Sequence, residues 1–237
     1  MQTSEEFKYT QMQKNWYETN ARASYYTDGK CLEDHIVGNF PNQEKFPYEQ
    51  WLFKYYIPSK EHICYEYGCG PGRQIRRIFN LFKRVDGVDI SQKNLDNAKQ
   101  YIGSSYNGIL KVTDGTQVPL EDKYDFCYSV ICLQHIPCYS IRRKILENML
   151  ESLKPGGRIA IQLAFGPSMN GTPTFGYTEN FYEATTTNGR LDCRVDTRQE
   201  VILDFLDIGF KDVTTELSNT VDDHHPCWIW IYGQKQI

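Results

Sequence analysis

No apolar run in these 237 residues reaches the ~18 that a membrane-spanning helix needs. The opening MQTSEEFKYTQ has neither the basic stretch nor the apolar core of an export signal, so a cytoplasmic protein is expected. Positive charge is in short supply too. With 26 Lys and Arg against 30 Asp and Glu, the net charge of −4 opposes a broad cationic face for nucleic acid or anionic lipid and favours small or neutral partners. Close CxxC pairs are absent, and several of the eight cysteines sit inside apolar runs of a chain large enough to build its own core. Reduced, mostly buried thiols are therefore expected in place of a disulfide framework. His224 and His225 lie near Cys227, yet no tetrahedral ligand set with recognisable spacing follows from them, and no metal is expected. Internal repeats and coiled-coil heptads are also missing.

What is present reads as one domain over residues 1–237, since 40% of the chain is hydrophobic and 24% charged, enough to bury a single sizeable core. Residues 1–60 read as a helical cap. Thr3 and Glu6 have capping-box spacing, Phe7, Met12, Trp16 and Tyr17 recur along a helical face, and YEQWLFKYYI repeats Trp51, Leu52, Tyr55 and Tyr56 at three- and four-residue separations. From residue 61 the texture changes. HICYEY, RVDGVDI, NGILKV, YDFCYSVICL and GRIAIQLAF read as strands, with helices in RQIRRIFNLF, SQKNLDNAKQYI and IRRKILENMLESL. Strand and helix in alternation imply a largely parallel sheet covered on both faces. TRQEVILDFLDIGF adds a helix stopped by Gly209, and KDVTTELS with CWIWIYGQ supplies a closing antiparallel pair. Residues 166–196 are long, turn-rich and aromatic, the texture of a substrate lid.

The chemistry concentrates at strand ends. YEYGCGPGRQ places Gly68, Gly70 and Gly72 directly after the first strand, in a turn that opens a helix and brings backbone close to a ligand at the carboxyl edge of the sheet. The third glycine comes one residue too early for the dinucleotide fingerprint, so a pyrophosphate is poorly served. Asp89 follows Gly68 by twenty-one positions and ends the second strand, where a carboxylate accepts hydrogen bonds from a ribose diol. Asp114 lies just past the third strand, placed to face an exocyclic amine. Together they outline an adenosine-shaped pocket.

YEYGCGPG, GVDIS, DGTQVPL, YDFCYSVICLQHI and LKPGGRIAI, in this order and at these distances, resemble the class I S-adenosylmethionine-dependent methyltransferases, in particular their small-molecule branch. The resemblance covers about residues 60–165. It implies an α/β, Rossmann-like sheet of seven mostly parallel strands, order 3-2-1-4-5-7-6 with strand 7 antiparallel, and S-adenosyl-L-methionine bound over its carboxyl edge. Carried over residue by residue, it implies that Glu66 engages the donor's amino group and that Gly68 and Gly70, with Cys69, Gly72 and Arg73 of the same turn, pass along its methionine portion. Asp89 becomes the ribose acid, Ile90 its apolar neighbour against adenine, Asp114 the acid facing the adenine amine, and Gly115 the source of a backbone amide. Gln134 and His135, just after strand four, fall where donor and acceptor meet, and LKPGG is a structural turn into strand five. Tyr65 and Tyr67 depart from the small aliphatic residues usual in the first strand.

An alcohol acceptor benefits from a base, and His135 is the best-placed one. Trp16, Tyr17, Tyr25, Phe175, Tyr177 and Tyr182 are candidate walls for an apolar or cationic acceptor. The absence of an Asn/Asp-Pro-Pro-Tyr/Phe stretch and of a strongly basic arm turns the expectation towards a small metabolite, methylated on oxygen or nitrogen. A protein or nucleic-acid methyltransferase, an NAD(P)-dependent oxidoreductase and a non-catalytic nucleotide-binding partner subunit remain as other readings.

Overall fold

The computed structural model describes residues 2–20, 48–166, 174–183, 185–186, 189–219 and 227–237. Helices α1 (Ser4–Asn20) and α2 (Tyr48–Leu52) come first. Then follow β1 (Ile63–Tyr67), α3 (Arg73–Ile78), β2 (Arg84–Asp89), α4 (Gln92–Ile102), β3 (Leu110–Val112), β4 (Tyr124–Ser129), α5 (Tyr139–Ser152) and β5 (Leu153–Ala164). Four short strands come next, β6 (Thr174–Gly176), β7 (Thr185–Thr186), β8 (Gly189–Arg190) and β9 (Asp192–Arg194), and the chain closes with α6 (Arg198–Ile208), β10 (Lys211–Asn219) and β11 (Cys227–Gln234).

Seven strands form one sheet in the order β10-β11-β5-β4-β1-β2-β3. With only these seven counted, that is the expected 3-2-1-4-5-7-6. β11 runs antiparallel to both neighbours, and the other pairs are parallel. Period-two alternation builds a core on each face. Tyr65 and Tyr67 of β1, Cys127 of β4, and Ile159, Ile161 and Leu163 of β5 pack with α5 and α6 on one face. Cys64, Phe126, Tyr128, Ala160 and Trp230 pack with α2, α3 and α4 on the other. The seven described cysteines are free thiols, and no described helix is long and apolar enough to cross a membrane.

Three local expectations are corrected. The helix expected through Ile57 stops at Leu52, because the next aromatics are drawn sideways: Tyr56 stacks on Phe126 at 4.4 Å and Tyr55 meets Tyr232 edge-on at 4.9 Å. LKPGG is a bulge and not a plain turn. Tyr124 pairs with Leu153 while Phe126 already pairs with Arg158, so the intervening residues loop out of the ladder. In α1, Phe7 and Met12 face outward, and the buried positions are Glu6, Tyr9, Thr10 and Gln13. The helical period is right, but the inward face is polar.

That polar face explains how α1 docks. Thr3 and Glu6 form the expected capping box, with the Thr3 amide donating to Glu6 Oε2 at 2.7 Å and the Glu6 amide to Thr3 Oγ1 at 3.2 Å. The same carboxylate accepts from Ser140 Oγ at 2.7 Å and from Lys144 Nζ at 2.6 Å, both on α5. Further along α1, Glu18 Oε1 accepts the Gln92 amide at 2.6 Å and so caps α4 from outside. Burial pushes Glu6 up, but hydrogen bonds from Lys144, the Thr3 amide and Ser140 together outweigh it and carry its pKa from 4.5 down to about 2. A depressed carboxylate stabilises the fold above its unfolded pKa and loses that contribution as pH falls. Docking of α1 is therefore expected to be complete above pH ~4.5 and to fade towards pH ~2. Glu6→Gln removes the charge-assisted bonds, worth about 1.5–3 kcal/mol each way they are counted, and is expected to raise hydrogen exchange across residues 4–20 while α5 stays protected. Unchanged protection in α1 would contradict this docking.

Candidate active site

The glycine turn after β1 is held from below. The amides of Gly68 and Cys69 both donate to the Val88 carbonyl, at 2.8 and 3.0 Å, the Gly72 amide donates to Cys69 O at 2.9 Å, and the Gly70 amide donates to Asp89 Oδ2 at 2.8 Å. The turn's own amides are thus spent on the fold, where the sequence reading had them meeting the ligand. Gly68 has φ +71, and a Cβ there would stand 2.0 Å from Cys132 Sγ, so its glycine is a requirement of packing against the loop after β4. Gly72 likewise abuts Ile102. Gly70 differs: at φ +50 it has nothing within 4 Å of where a Cβ would sit, and open space adjoins the backbone there. Cys69 turns its thiol to the core, close to Gly87 of β2.

Asp89 organises the neighbouring loops. Besides Gly70, its carboxylate accepts the Ser91 amide at 2.9 Å and Asn94 Nδ2 at 3.2 Å, while its backbone carbonyl accepts the Thr113 amide at 3.0 Å. Burial raises its pKa, against the hydrogen bonds from Ser91, Gly70 and Asn94. Glu66, on β1, is buried and accepts from the Tyr128 hydroxyl at 3.2 Å. Burial pushes this carboxyl well up despite the opposing pull of Arg73 and the Tyr128 hydroxyl, and nearby Asp89 adds to the rise. Arg73 itself lies over the Tyr48 ring at 5.1 Å, facing the α2 side of the turn. Asp114 is exposed and uses Oδ1 to cap its own turn, taking the amides of Thr116 and Gln117 at 2.8 Å each and Thr116 Oγ1 at 3.0 Å. The Gly115 amide is occupied by Thr113 Oγ1 at 3.2 Å. Ile90 and Thr10 of α1 close around Gly115, each within about van der Waals contact of its Cβ position.

His135 ends a short turn of 3-10 helix, Leu133–His135, after β4, and is buried together with Gln134. Its Nδ1 lies 2.6 Å from Asp192 Oδ1 on β9. Its Nε2 lies 3.3 Å from Gln134 Nε2, and its carbonyl accepts from Gln13 of α1 at 2.9 Å. Gln134 Oε1 is buried with no hydrogen-bond partner among the described residues, as are both amide atoms of Gln74 at the start of α3. Just before the turn, Ile131 has φ +51, a costly conformation for a β-branched residue that delivers Cys132 to the glycine turn. No cluster of His, Cys, Asp and Glu suited to a metal occurs among the described residues, and His224 and His225 lie outside them.

The aromatic segment divides. Tyr177, expected in the acceptor wall, is buried in the core. Its hydroxyl donates to Asp204 Oδ2 at 2.6 Å and its ring lies 5.1 Å from the Arg142 guanidinium. Arg142 donates to the carbonyls of Ile136 and Tyr177 and so pins the segment to the loop after β4. β6 pairs with β9, and the Tyr139 amide at the start of α5 donates to Glu179 O at 2.9 Å. The described residues 174–183 thus form a tied wall. Phe175 stacks on Phe181 at 4.1 Å, and Phe175 and Tyr182 remain half-buried. Trp16 and Tyr17, half-buried near the end of α1, meet edge-on at 5.0 Å. Tyr25 lies outside the described residues.

A family model described as a methyltransferase domain matches residues 65–161, the span from within β1 to near the end of β5. Residues 65–161 are thus similar to a methyltransferase domain, and the fold as a whole is similar to that of solved S-adenosylmethionine-dependent methyltransferases. Among curated proteins the chain is 32% identical over 108 residues to malonyl-[acyl-carrier protein] O-methyltransferase 2 of Ilyobacter polytropus, covering 44% of this chain and 40% of that one. It is 30% identical over 100 residues to phosphoethanolamine N-methyltransferase 2 of Caenorhabditis elegans, covering 40% and 22%. The chain thus matches no more than two fifths of the length of these relatives. In overall fold the chain is similar to the N-methyltransferase NodS from Bradyrhizobium japonicum, solved with S-adenosyl-L-homocysteine, at TM-score 0.62 and 15% identity over 91% of this chain and 98% of that one. Phosphoethanolamine N-methyltransferase 2 of Haemonchus contortus gives TM-score 0.63 at 15% identity over 100% and 61%.

The contrast between the two glycines is directly testable. Gly68→Ala drives a Cβ into Cys132 and is expected to cost about 2–5 kcal/mol from overpacking and left-handed strain combined. Gly70→Ala is expected to cost only the left-handed strain, about 1–2 kcal/mol. Chemical denaturation of both variants separates them, and equal losses would contradict the open space beside Gly70.

Proposed function

We propose that the chain transfers the methyl group of S-adenosyl-L-methionine to an oxygen or nitrogen of a small-molecule metabolite or biosynthetic intermediate, in the cytoplasm, leaving S-adenosyl-L-homocysteine. The observation that carries this reading is the open space beside Gly70 just past β1, and the loop after the neighbouring strand β4 adds a buried, unpaired Gln134 Oε1. A fold that buries such an atom without a partner leaves about 1–3 kcal/mol of hydrogen bonding for a ligand to supply. The relatives support the same chemistry, since their names describe methyl transfer to malonyl-acyl carrier protein and to phosphoethanolamine.

The residues fit such a donor with two amendments to the sequence reading. Asp89 already accepts three protein hydrogen bonds of the roughly four a carboxylate takes, so it offers a ribose about one more, on Oδ2. The adenine end is held by apolar contact with Ile90 beneath α1 more than by Asp114, whose Oδ1 is committed to its own turn. Glu66 supplies the partner for the donor's ammonium group. When bound, the donor brings a methyl group already activated on a sulfonium, so the protein's task is to align the acceptor and exclude water. α1 and the tied wall of residues 174–183 serve that exclusion, with Trp16, Tyr17, Phe175 and Tyr182 as the aromatic surfaces nearest the acceptor and residues 166–196 as the substrate lid. His135 stands at the acceptor side.

Two outcomes test the assignment. With methyl-labelled donor and a metabolite library, label is expected in a small-molecule fraction, and His135→Ala is expected to lower its transfer by about 100-fold or more while donor affinity changes little. Equal transfer would remove His135 from the reaction. Because burial holds Glu66 towards its neutral form, a cationic ammonium binds best once that carboxyl ionises. The affinity for S-adenosyl-L-homocysteine is therefore expected to rise with pH through the elevated Glu66 pKa, with proton release visible as a buffer-dependent heat of binding. Glu66→Gln is expected to abolish that release, and a release that persists in the variant would place the ammonium elsewhere.

A further inference from the structure

Gln74 follows the glycine turn as the second residue of α3 and is only 3% exposed. Both of its amide atoms, Oε1 and Nε2, are buried with no hydrogen-bond partner among the described residues. Exchanging the oxygen and nitrogen positions repairs nothing, because neither position has a partner. A buried amide left wholly unpaired weakens the fold, and native proteins rarely keep one unless something outside the fold satisfies it.

The helical period shows where this amide points. Ile75 and Ile78 turn towards the sheet, with Ile75 against Gly87 of β2. Arg73 and Arg77 turn towards α2 and lie over the Tyr48 ring at 5.1 and 5.5 Å, while Arg76 lies over Tyr101 of α4 at 4.3 Å. At about 100° per residue, Gln74 falls between the sheet side and the α2 side, and so enters the wedge between α2 and the carboxyl ends of the strands. Glu66 lies on that face of the sheet, two residues after Cys64 and bonded to Tyr128, both members of the core under α2 and α3. Gln162 lies on it too, paired across the ladder with Trp230 of the same core and one residue beyond Ile161, which is level with Ser129 at the end of β4. Its Oε1 is a third buried, unpaired amide atom on this face.

The chemistry of these groups selects a ligand. Arg73 brings positive charge near enough to pull on the Glu66 carboxyl, so the wedge holds one charge of each sign and an amide that lacks partners for both its donor and its acceptor. A phosphate or a lone carboxylate would satisfy Nε2 but set its own lone pairs against Oε1 and Glu66. A lone ammonium would satisfy Oε1 and leave Nε2 unpaired. An α-amino acid group, with ammonium and carboxylate on one carbon, satisfies both. The glycine turn cannot serve such a carboxylate, since the amides of Gly68, Cys69, Gly70 and Gly72 are already donated within the fold.

Resting on the methyltransferase reading above, we infer that Gln74 is a specificity-determining residue that grips the α-amino acid end of the donor, with Nε2 donating to its carboxylate and Oε1 accepting from its ammonium beside Glu66. The amide side chain thus takes the place that the turn's own amides cannot fill. Selectivity follows: a nucleoside thioether without that end forfeits the grip.

Two measurements test it. Gln74→Met keeps the length and volume of the side chain and removes only the amide. Calorimetric titration compares S-adenosyl-L-homocysteine with 5′-methylthioadenosine, which keeps the nucleoside and the thioether but has no amino acid end. S-adenosyl-L-homocysteine is expected to bind Gln74→Met about 10-fold or more weakly, with the binding of 5′-methylthioadenosine unchanged. Unchanged binding of S-adenosyl-L-homocysteine, or an equal loss for both ligands, overturns the assignment. Without ligand, Gln74→Met is expected to unfold at an equal or higher denaturant midpoint, since two unpaired polar atoms have gone. A lower midpoint, or a variant that does not fold, shows that the amide is bonded within the fold and overturns the inference. Absence of S-adenosyl-L-homocysteine binding by the native protein overturns the methyltransferase reading itself, while the midpoint still decides whether the fold uses the amide.

Discussion

One carboxylate holds the carboxyl edge of this sheet together. Asp89 ties the glycine turn through Gly70, the start of α4 through Ser91 and Asn94, and the end of β3 through its own carbonyl and Thr113. Three loops that converge on the carboxyl edge thus share one residue. Each buried hydrogen bond to a charged acceptor is worth about 1.5–3 kcal/mol, so the turn's shape and the site's existence rest on the same side chain. The structural role of Asp89 and the ribose-binding role proposed for it are therefore inseparable by simple deletion, and the glycines report on them more cleanly.

Around that edge the molecule closes with polar contacts where a core would use apolar ones. α1 lies on Glu6, Tyr9, Thr10 and Gln13, reaching α5 through Lys144 and Ser140, the loop after β4 through the His135 carbonyl, and α4 through Glu18. The segment after β5 is pinned by Arg142 and by the ladder of β6 with β9. Both covers are held by directional bonds to the site's own loops.

Most of the fold was legible because its signals are local. Alternating apolar residues mark β1, β2, β4 and β5, Ser91 caps α4 and the Thr197–Glu200 capping box starts α6, with Gly209 as its left-handed stop. The candidate site was legible only where strand ends announce it. Glu66 lies near the end of β1, Asp89 ends β2, and Gln134 and His135 sit in the turn after β4, so all four lie at the carboxyl edge. What sequence does not reveal is which polar groups the chain satisfies by itself. The amides of Gly68, Cys69 and Gly115 looked available and are occupied. Tyr177 looked like pocket wall, but a carboxylate on α6 draws its hydroxyl inward. Asp192 gave no signal, since a carboxylate in a turn-rich stretch reads as solvated until β9 carries it to His135. The inward face of α1 was misjudged because its apolar residues carry the same helical period as its buried polar ones.

The central claim is that this edge accepts an adenosyl sulfur ligand and not a dinucleotide. Calorimetric titration of the whole chain with S-adenosyl-L-homocysteine and, separately, with NAD and NADP tests it most directly. The account predicts saturable binding of S-adenosyl-L-homocysteine at a single site and no measurable binding of either dinucleotide. Saturable binding of NAD or NADP, or none of S-adenosyl-L-homocysteine by folded protein, would contradict it.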